Sequence, residues 1–217
     1  MSLIQLEDAA EKEKLAIFGL CHTMPEDGLG SGTLALFGPA EPGFWAHVNQ
    51  SPELQDGKPD PLDRWSKRIL DRLAAQIRGR ALYPFGTPTR PFISWAMRSH
   101  RAWPSPVGLL VHDTAGLLVS YRGAILLPDI LDLPSTKEPP CTSCRTQPCR
   151  TACPVGALDA SGYDIPACKD YLAGPAPAGC NIAGCAVRRA CPVSQSYPRI
   201  PEQSAFHMAA FRGSSRN

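Results

Sequence analysis

Residues 141–154 read CTSCRTQPCRTACP, and this stretch decides how the C-terminal part of the chain folds. Its four cysteines fall within 13 residues and end in a Cys-Pro pair. Spacers this short let a folded-back loop place three thiolates at the corners of one cubane iron–sulfur cluster, while the last cysteine faces a second cluster. The proline that follows needs no N–H donor, and it predicts a short helix over PVGALDA, residues 154–160.

A second cysteine set lies further along the chain. Cys168 stands alone, and residues 180–192 read CNIAGCAVRRACP, which again ends in Cys-Pro. Residues 1–140 contain one cysteine, Cys21, for which a buried, inert thiol is favoured over a ligand or a nucleophile. The other eight cysteines are the predicted metal ligands: Cys141, Cys144, Cys149, Cys153, Cys168, Cys180, Cys185 and Cys191.

Two zinc sites of four cysteines each are the main alternative, because Cys-x2-Cys also occurs in zinc knuckles. Zinc sites usually pair two such knuckles, whereas this chain has one, at Cys141 and Cys144. Redox-active dithiols are a third interpretation. The doubled Cys-Pro ending favours iron.

The composition is that of a globular protein: 217 residues, 43% hydrophobic and 19% charged, with a formal net charge of +2. The N-terminal stretch MSLIQLEDAAEKEKL lacks the basic and apolar parts of a secretory signal, and no apolar run reaches the ~18 residues of a membrane span. We therefore expect a cytoplasmic protein without membrane contact, whose cysteines serve metal or redox chemistry and not a disulfide framework.

The near-neutral charge argues against nucleic acid as a partner. Residues 90–101, with Trp95 and Trp103, mix cations with aromatic rings, but the sequence has no RNA-binding motif. Two thiolate-bound clusters would bring the net charge to about −2. Four arginines are either counter-charges to the clusters or solvated surface residues: Arg145, Arg150, Arg188 and Arg189.

A polar, proline-rich segment at residues 133–140, LPSTKEPP, marks a change in composition. It predicts an α/β domain over residues 1–135 and a cysteine-rich domain over residues 136–217. Several elements of the first domain are predicted from periodicity and turn residues. They are helices over 4–18, 61–78 and 92–99, a strand over 32–38, extended chain over 80–85, and a β-hairpin of 108–113 with 117–128 turning at 114–116.

The helix over 61–78 has the clearest signals. Asp60 is a candidate N-cap, Pro61 suits the first turn, and Gly79 is a candidate end. Apolar residues recur along one face at helical spacing. They are Leu62, Trp65, Ile69, Leu73 and Ile77.

The cysteine segments resemble known families. CTSCRTQPCRTACPVGAL is similar to the dicluster bacterial ferredoxin motif, C-x2-C-x2-C-x3-C-P, with two extra residues between Cys144 and Cys149. PACKDYLAG and GCNIAGCAVRRACP resemble the ferredoxin-type domain of epoxyqueuosine reductases and related cobalamin-dependent reductases, in which a lone cysteine follows the first Cys-Pro. The resemblance implies a C-terminal dicluster ferredoxin-like domain and an electron donor protein such as a flavodoxin or a ferredoxin.

The same resemblance implies how the ligands divide between two 4Fe-4S clusters. Cys191 would complete one set, and Cys153 would belong to the other. The first set is Cys141, Cys144, Cys149 and Cys191. The second set is Cys153, Cys168, Cys180 and Cys185.

A weaker resemblance lies at residues 105–128, SPVGLLVHDTAGLLVSYRGAILLP, which is similar to the sheet segment of cobalamin-processing chaperones of the CblC type. It implies an α+β protein whose N-terminal domain is a nitroreductase-like or cobalamin-reductase-like α/β sandwich that binds cobalamin or a flavin. His112, Tyr121 and Arg122 are the candidate cofactor-binding residues. Structural roles are the alternatives. His112 would then be a hydrogen-bonded turn histidine, and Arg122 would pair with an acid such as Asp113 or Asp129.

Two departures argue against the epoxyqueuosine reaction itself. The Gly-Arg-Asp-Tyr-His stretch of that family is missing, and so is its helical-repeat tail. Two functional hypotheses remain. One is an iron–sulfur oxidoreductase component that passes electrons to a cofactor in the N-terminal domain or to a partner. The other is a non-catalytic protein that binds a corrinoid or a partner and uses its clusters as structural supports.

Overall fold

The computed structural model describes residues 3–174 and 179–213, which form an α+β structure. The α-helices in these residues are α1 (Leu3–Lys12), α2 (Phe44–Asn49), α3 (Pro52–Gln55), α4 (Pro61–Gln76), α5 (Phe92–Arg98), α6 (Pro140–Ser143), α7 (Ile165–Ala173), α8 (Cys180–Ala183), α9 (Ala186–Ala190), α10 (Pro192–Ser196) and α11 (Pro201–Arg212). The strands are β1 (Leu15–His22), β2 (Thr33–Pro39), β3 (Arg80–Leu82), β4 (Ala102–Pro104), β5 (Leu110–His112), β6 (Gly123–Leu127), β7 (Leu158–Asp159) and β8 (Gly162–Tyr163). Across the described ranges, no helix is both long enough and apolar enough to cross a membrane.

The chain separates into two compact units. Unit 1 comprises residues 1–101 and 120–137, and unit 2 comprises residues 102–119 and 138–217. The predicted domains, 1–135 and 136–217, differ from these units mainly in one segment, residues 102–119. That segment belongs with the cysteine-rich unit because its apolar side chains, including Val107 and Val111, pack in one cluster with cysteine side chains.

Unit 1 is built on an antiparallel sheet with the strand order β1-β2-β6-β3. All seven residues of β2 are buried, so the predicted strand over 32–38 is confirmed as a central strand. Helix α4 is also confirmed, with Pro61 as its first residue. Asp60 does not cap it, since its side chain makes no capping hydrogen bond and its φ is 51°. The predicted face is buried at Leu62, Trp65, Ile69 and Leu73.

The predicted helix over 4–18 is wrong in its second half. Helix α1 ends at Lys12, Lys14 has a φ of 54°, and residues 15–22 form strand β1. The bulky residues of β1, such as Phe18, suit a strand and are buried against the sheet, while Ile4 in α1 is exposed. Tertiary packing overrides the loose helical periodicity here.

The predicted hairpin turning at 114–116 is also wrong. Strand β5 pairs with β4, whereas β6 pairs with β2 and β3. Residues 113–118 form turns, with an isolated bridge between His112 and Gly116. The strands on either side of Gly116 therefore belong to different sheets, and to different units.

The predicted helix over 92–99 is confirmed as α5. Its Trp95 is completely buried and donates a hydrogen bond from Nε1 to the Asp27 carboxylate at 2.8 Å. This ring is therefore not exposed for stacking on nucleic acid.

Unit 2 combines short helices with two small hairpins, β4–β5 and β7–β8. The helix predicted over PVGALDA is wrong, because residues 154–156 form a turn and β7 follows at Leu158. Gly156 in this turn has a φ of 63°, which would break a helix. In the second Cys-Pro pair, the proline does begin a helix, because Pro192 is the first residue of α10.

Candidate metal centre

The first predicted ligand set gathers around one cavity of about 430 Å³ in unit 2. Its wall comes from α6, from the 3₁₀ helix Pro148–Arg150 and from the start of α10, which bring together residues about 50 positions apart in the sequence. The loop between β4 and β5 supplies further lining. Four cysteines line this cavity, and we name them group A: Cys141, Cys144, Cys149 and Cys191.

The thiols of group A influence one another. Burial raises the pKa of Cys141, and the thiols of Cys191, Cys149 and Cys144 raise it further. Burial also raises the pKa of Cys149, followed by the effect of Cys191. Thiolates brought together without a cation repel each other, so this arrangement favours a positively charged occupant.

The second predicted ligand set is also brought together, through the segments that carry α7, α8 and α9. We name it group B: Cys153, Cys168, Cys180 and Cys185. Burial raises the pKa of Cys168, and Cys185, Cys153 and Cys180 raise it further, while the Tyr163 hydroxyl lowers it. The pKa of Cys180 is raised by burial, and its neighbours Cys185 and Cys153 act in the same direction.

Two hydrogen bonds point at group B sulfurs. The Tyr163 hydroxyl donates to Sγ of Cys168 at 3.2 Å, and the backbone N–H of Ala157 donates to Sγ of Cys153 at 3.2 Å. Donors of this kind stabilise thiolates and set the reduction potential of a cluster. Tyr163 lies in the β7–β8 hairpin, where the sequence predicted a helix to end, and no motif in the sequence marked it.

Arginines accompany both groups. Arg150 lowers the pKa of Cys149, and Arg189 lowers the pKa of Cys180. Arg188 donates a hydrogen bond to the carbonyl of Leu117, and burial lowers its own pKa while Cys185 and Tyr163 raise it. Arg150 and Arg189 are nevertheless exposed, as is Arg145 at the cavity of group A, whereas Arg188 is half-buried. A counter-charge role for these arginines therefore stays a prediction.

Apolar packing contacts five of the eight predicted ligands. Val107, Val111, Leu117, Leu158 and Val187 form one buried cluster with Cys149 and Cys191. Cys141, Cys153 and Cys185 pack against the same cluster. A water-poor shell of this kind shields a metal site and strengthens its electrostatic interactions.

Ser105 and Gln203 of unit 2 have buried polar side-chain atoms without hydrogen-bond partners in the described part of the chain. The hydroxyl of Ser105, in the lining of the group A cavity, has no hydrogen-bond partner among the described residues. Neither does the side-chain amide of Gln203, on α11, within the same described part of the chain. Helix α11 packs on α8, and Ser204 lies against Gly184, next to Cys185 of group B. An unpaired hydroxyl in the lining of the group A cavity, such as that of Ser105, fits a site built for an acceptor group such as cluster sulfur.

Within residues 3–174 and 179–213, no His, Cys, Asp or Glu side chains form a group of three or more that could hold a single metal ion. All nine cysteines are free thiols. The ninth, Cys21, is buried in unit 1.

The candidate cofactor residues have structural partners. His112, in unit 2, is completely buried, and its Nδ1 accepts hydrogen bonds from the backbone N–H groups of Thr114 at 3.1 Å and Ala115 at 3.2 Å. This is the geometry of a turn histidine. Tyr121 and Arg122 lie in unit 1, so the three residues are divided between the units.

Tyr121 and Arg122 sit within the packing of unit 1. The Tyr121 ring lies 6.2 Å from the ring of Phe18, edge to face. The Arg122 guanidinium lies 3.7 Å from the Asp63 carboxylate, so its acidic neighbour is Asp63 and neither Asp113 nor Asp129 as expected. Burial raises the pKa of Asp63, and Arg122 lowers it.

Unit 1 has its own open groove of about 570 Å³, which the sequence did not predict. Cys21, Met24, Met97, Arg98 and His100 are among its lining residues. Its size falls within the range of small-molecule sites. None of the three candidate cofactor residues lines this groove or the group A cavity.

Comparisons with known proteins give no relative for this chain: no family model, no curated protein and no solved structure matches it.

Proposed function

We propose that this chain binds two 4Fe-4S clusters, one in group A and one in group B, and that it transfers electrons. One observation carries the proposal: the eight cysteines gather in two sets of four with the division that the ferredoxin-type resemblance implies. Each set draws on segments distant in sequence, which argues for a common ligand in each place.

The chain's own residues provide what such clusters need. The eight thiols supply four ligands to each cluster, and the apolar side chains packed against five of them limit the access of water. Arg150, Arg188 and Arg189 offset the negative charge of the thiolates. When bound, clusters of this type accept and release single electrons. The proposed partner is a reduced flavodoxin or ferredoxin, and the finer architecture, a nitroreductase-like unit 1 with a ferredoxin-like unit 2, belongs to the same proposal.

Ligand substitution tests the division into groups. Anaerobically purified protein should contain about eight iron atoms and eight sulfides per chain. Cys141→Ser and Cys168→Ser should each lose about half of the iron, because each removes a ligand from one cluster. Cys21→Ser is the matched control and should retain all of it, since Cys21 is a buried thiol of unit 1.

Double variants sharpen the test. Cys141→Ser combined with Cys191→Ser should lose no more iron than either change alone, since both residues belong to group A. Cys141→Ser combined with Cys168→Ser should lose nearly all of it. Zinc in place of iron in the wild-type protein, or equal iron loss in Cys21→Ser, would contradict the proposal.

The electron acceptor is the second part of the proposal. The groove in unit 1 is where an organic acceptor, cobalamin or a flavin, would bind. Equilibrium dialysis with hydroxocobalamin and with FMN, using the wild-type protein and Met97→Glu, tests this. Binding that the glutamate abolishes supports a cofactor in the groove. No binding of either compound would leave a docked partner as the acceptor.

A further inference from the structure

Ser105 occupies the tip of the β4–β5 hairpin in unit 2. Its backbone N–H donates to the carbonyl of Leu109 at 2.8 Å, and its carbonyl accepts from the N–H of Gly108 at 3.0 Å. These bonds close a tight turn, and Val107 within it is buried in the apolar cluster. The backbone of Ser105 is therefore held in place, and its side chain has little freedom to move elsewhere.

The hydroxyl of this serine is buried and unpaired. Ser105 is 8% exposed, it lines the group A cavity, and its Oγ has no hydrogen-bond partner among residues 3–174 and 179–213. A buried hydroxyl without a hydrogen-bond partner destabilises the folded protein, because it has lost its bonds to water. A second lining serine, Ser143, differs, because its hydroxyl donates to the carbonyl of Pro140 at 3.3 Å.

The neighbouring walls of the cavity offer Ser105 little to bond. Pro106, Val111, Leu117 and Val193 line it with apolar side chains. Four polar side chains also line the cavity, and none of them bonds the Ser105 hydroxyl: Ser143, Arg145, Thr146 and Gln147. The other polar groups of the lining are the group A thiols, and a thiolate or a sulfide accepts hydrogen bonds without donating any. A hydroxyl that bonds to such an acceptor must therefore be the hydrogen-bond donor.

We infer that Ser105 is a positioning residue for the group A cluster: its hydroxyl donates a hydrogen bond to a cluster sulfide or to a ligand thiolate and raises the reduction potential of that cluster. The inference rests on the proposed function. A donor to sulfur stabilises the reduced cluster more than the oxidised one, because reduction adds negative charge. Loss of the hydroxyl should therefore lower the potential of one cluster and leave the other unchanged.

The test is a redox titration of the whole protein, followed by EPR, in wild type and Ser105→Ala. We expect one of the two reduction waves to move to lower potential by about 59 mV, which is a tenfold fall in the one-electron equilibrium constant. Ser143→Ala should move neither wave, because its hydroxyl is already bonded to Pro140. Ser105→Thr should restore the wild-type potential, because it keeps the hydroxyl.

Two further variants keep the test decisive. Tyr163→Phe removes a donor to group B and should move the other wave, which assigns the waves to their groups. Ser105→Cys has nearly the same size and a weaker donor, so it should give a smaller shift even where the alanine variant loses iron. Unchanged potentials in both Ser105→Ala and Ser105→Cys would overturn the inference while leaving the proposed function intact. A wild-type protein without iron and sulfide would instead refute the proposed function itself.

Discussion

At the scale of single residues, the Asp27 carboxylate in unit 1 is buried and held by hydrogen bonds from three residues. Its side chain is 2% exposed, and it accepts hydrogen bonds from Trp95 Nε1 at 2.8 Å, from the backbone N–H of Met24 at 2.8 Å and from Arg98 Nη2 at 2.5 Å. Burial alone would raise the pKa of this carboxyl. The hydrogen bonds from Arg98, Met24 and Trp95 outweigh it and hold the pKa below the ordinary value of 3.8.

Asp27→Asn should lower the free energy of unfolding by about 3 kcal/mol near pH 7, because it leaves Arg98 without its buried partner. A depressed folded-state pKa stabilises the protein above the unfolded pKa. That stability is lost as pH falls from about 3.8 through the folded value. Urea unfolding at a series of pH values should therefore show the difference between the two proteins shrinking in acid.

Asp56→Asn is the control for this series. Asp56 pairs with Arg64 on the surface, and its side chain is far more exposed than that of Asp27. Asp56→Asn should lower the free energy of unfolding by less than Asp27→Asn does at each pH where the two carboxyls are ionised. Equal costs for the two variants would show that burial of the Asp27 network contributes nothing.

Tyr163 is a single hydroxyl with a predicted electronic effect. Tyr163→Phe keeps the stacking on Phe211, whose ring centroid lies 6.0 Å away, and removes the donor to Cys168. The potential of the group B cluster should fall by about 59 mV, a tenfold change in its reduction constant. Tyr83→Phe removes a hydroxyl bonded to Asp71 in unit 1 and should leave both potentials unchanged. A shift in that control would mean that the effect is not local.

At the scale of elements, α8 and α11 are packed through a glycine. Gly184 has a φ of +86°, and a Cβ placed on it would lie 2.6 Å from Cβ of Ser204. The residue sits between α8 and Cys185, where the chain must turn sharply to bring that thiol into group B. A side chain at this position would both strain the backbone and push α11 away.

Gly184→Ala should therefore lower the unfolding free energy by about 3 kcal/mol, the sum of backbone strain and overpacking. It should also reduce the iron retained by group B. Gly213→Ala is the matched control, because Gly213 has a similar φ of +81° with nothing within 4 Å of the added Cβ. Thermal unfolding and iron analysis compare them, and an equal effect of the two changes would rule out the packing argument.

The same scale shows where sequence patterns succeed and fail. The strong periodicity of α4 and the apolar run of β2 were sufficient to predict these two elements, because local pattern and tertiary burial agree there. Residues 15–18, the first half of β1, were predicted as helix, since a weak periodicity could not reveal that they belong to the sheet. The partner of β5 could not be predicted either, because β4, which pairs with it, carried no distinct signal.

At the scale of the whole molecule, the cysteine spacing predicted the set of eight ligands, whereas their division into groups A and B is what the ferredoxin-type resemblance implies, and it stays a prediction. The spacing of the cysteines along the chain is fixed by covalent bonds. The ligands can therefore be predicted even where the predicted helices and strands are wrong. Ser105 and Tyr163 were not predicted, since a hydroxyl becomes a donor to sulfur only through the fold around it.

The two units should depend differently on metal. Unit 2 has short helices around an apolar cluster that includes cysteines. On the proposed function, we expect its folding to be coupled to the binding of the clusters. Unit 1 has a four-stranded sheet with an apolar core and none of the eight predicted ligands. Chelation of iron from the full chain should remove hydrogen-exchange protection from α7–α10 and preserve it in β1, β2 and β6. Earlier loss of protection in the sheet would contradict this separation.

Mössbauer spectroscopy of protein produced with ⁵⁷Fe tests the central claim most directly. The account predicts that essentially all iron appears as 4Fe-4S clusters, with about two clusters per chain. Mononuclear iron, two-iron clusters or a single cluster per chain would contradict it.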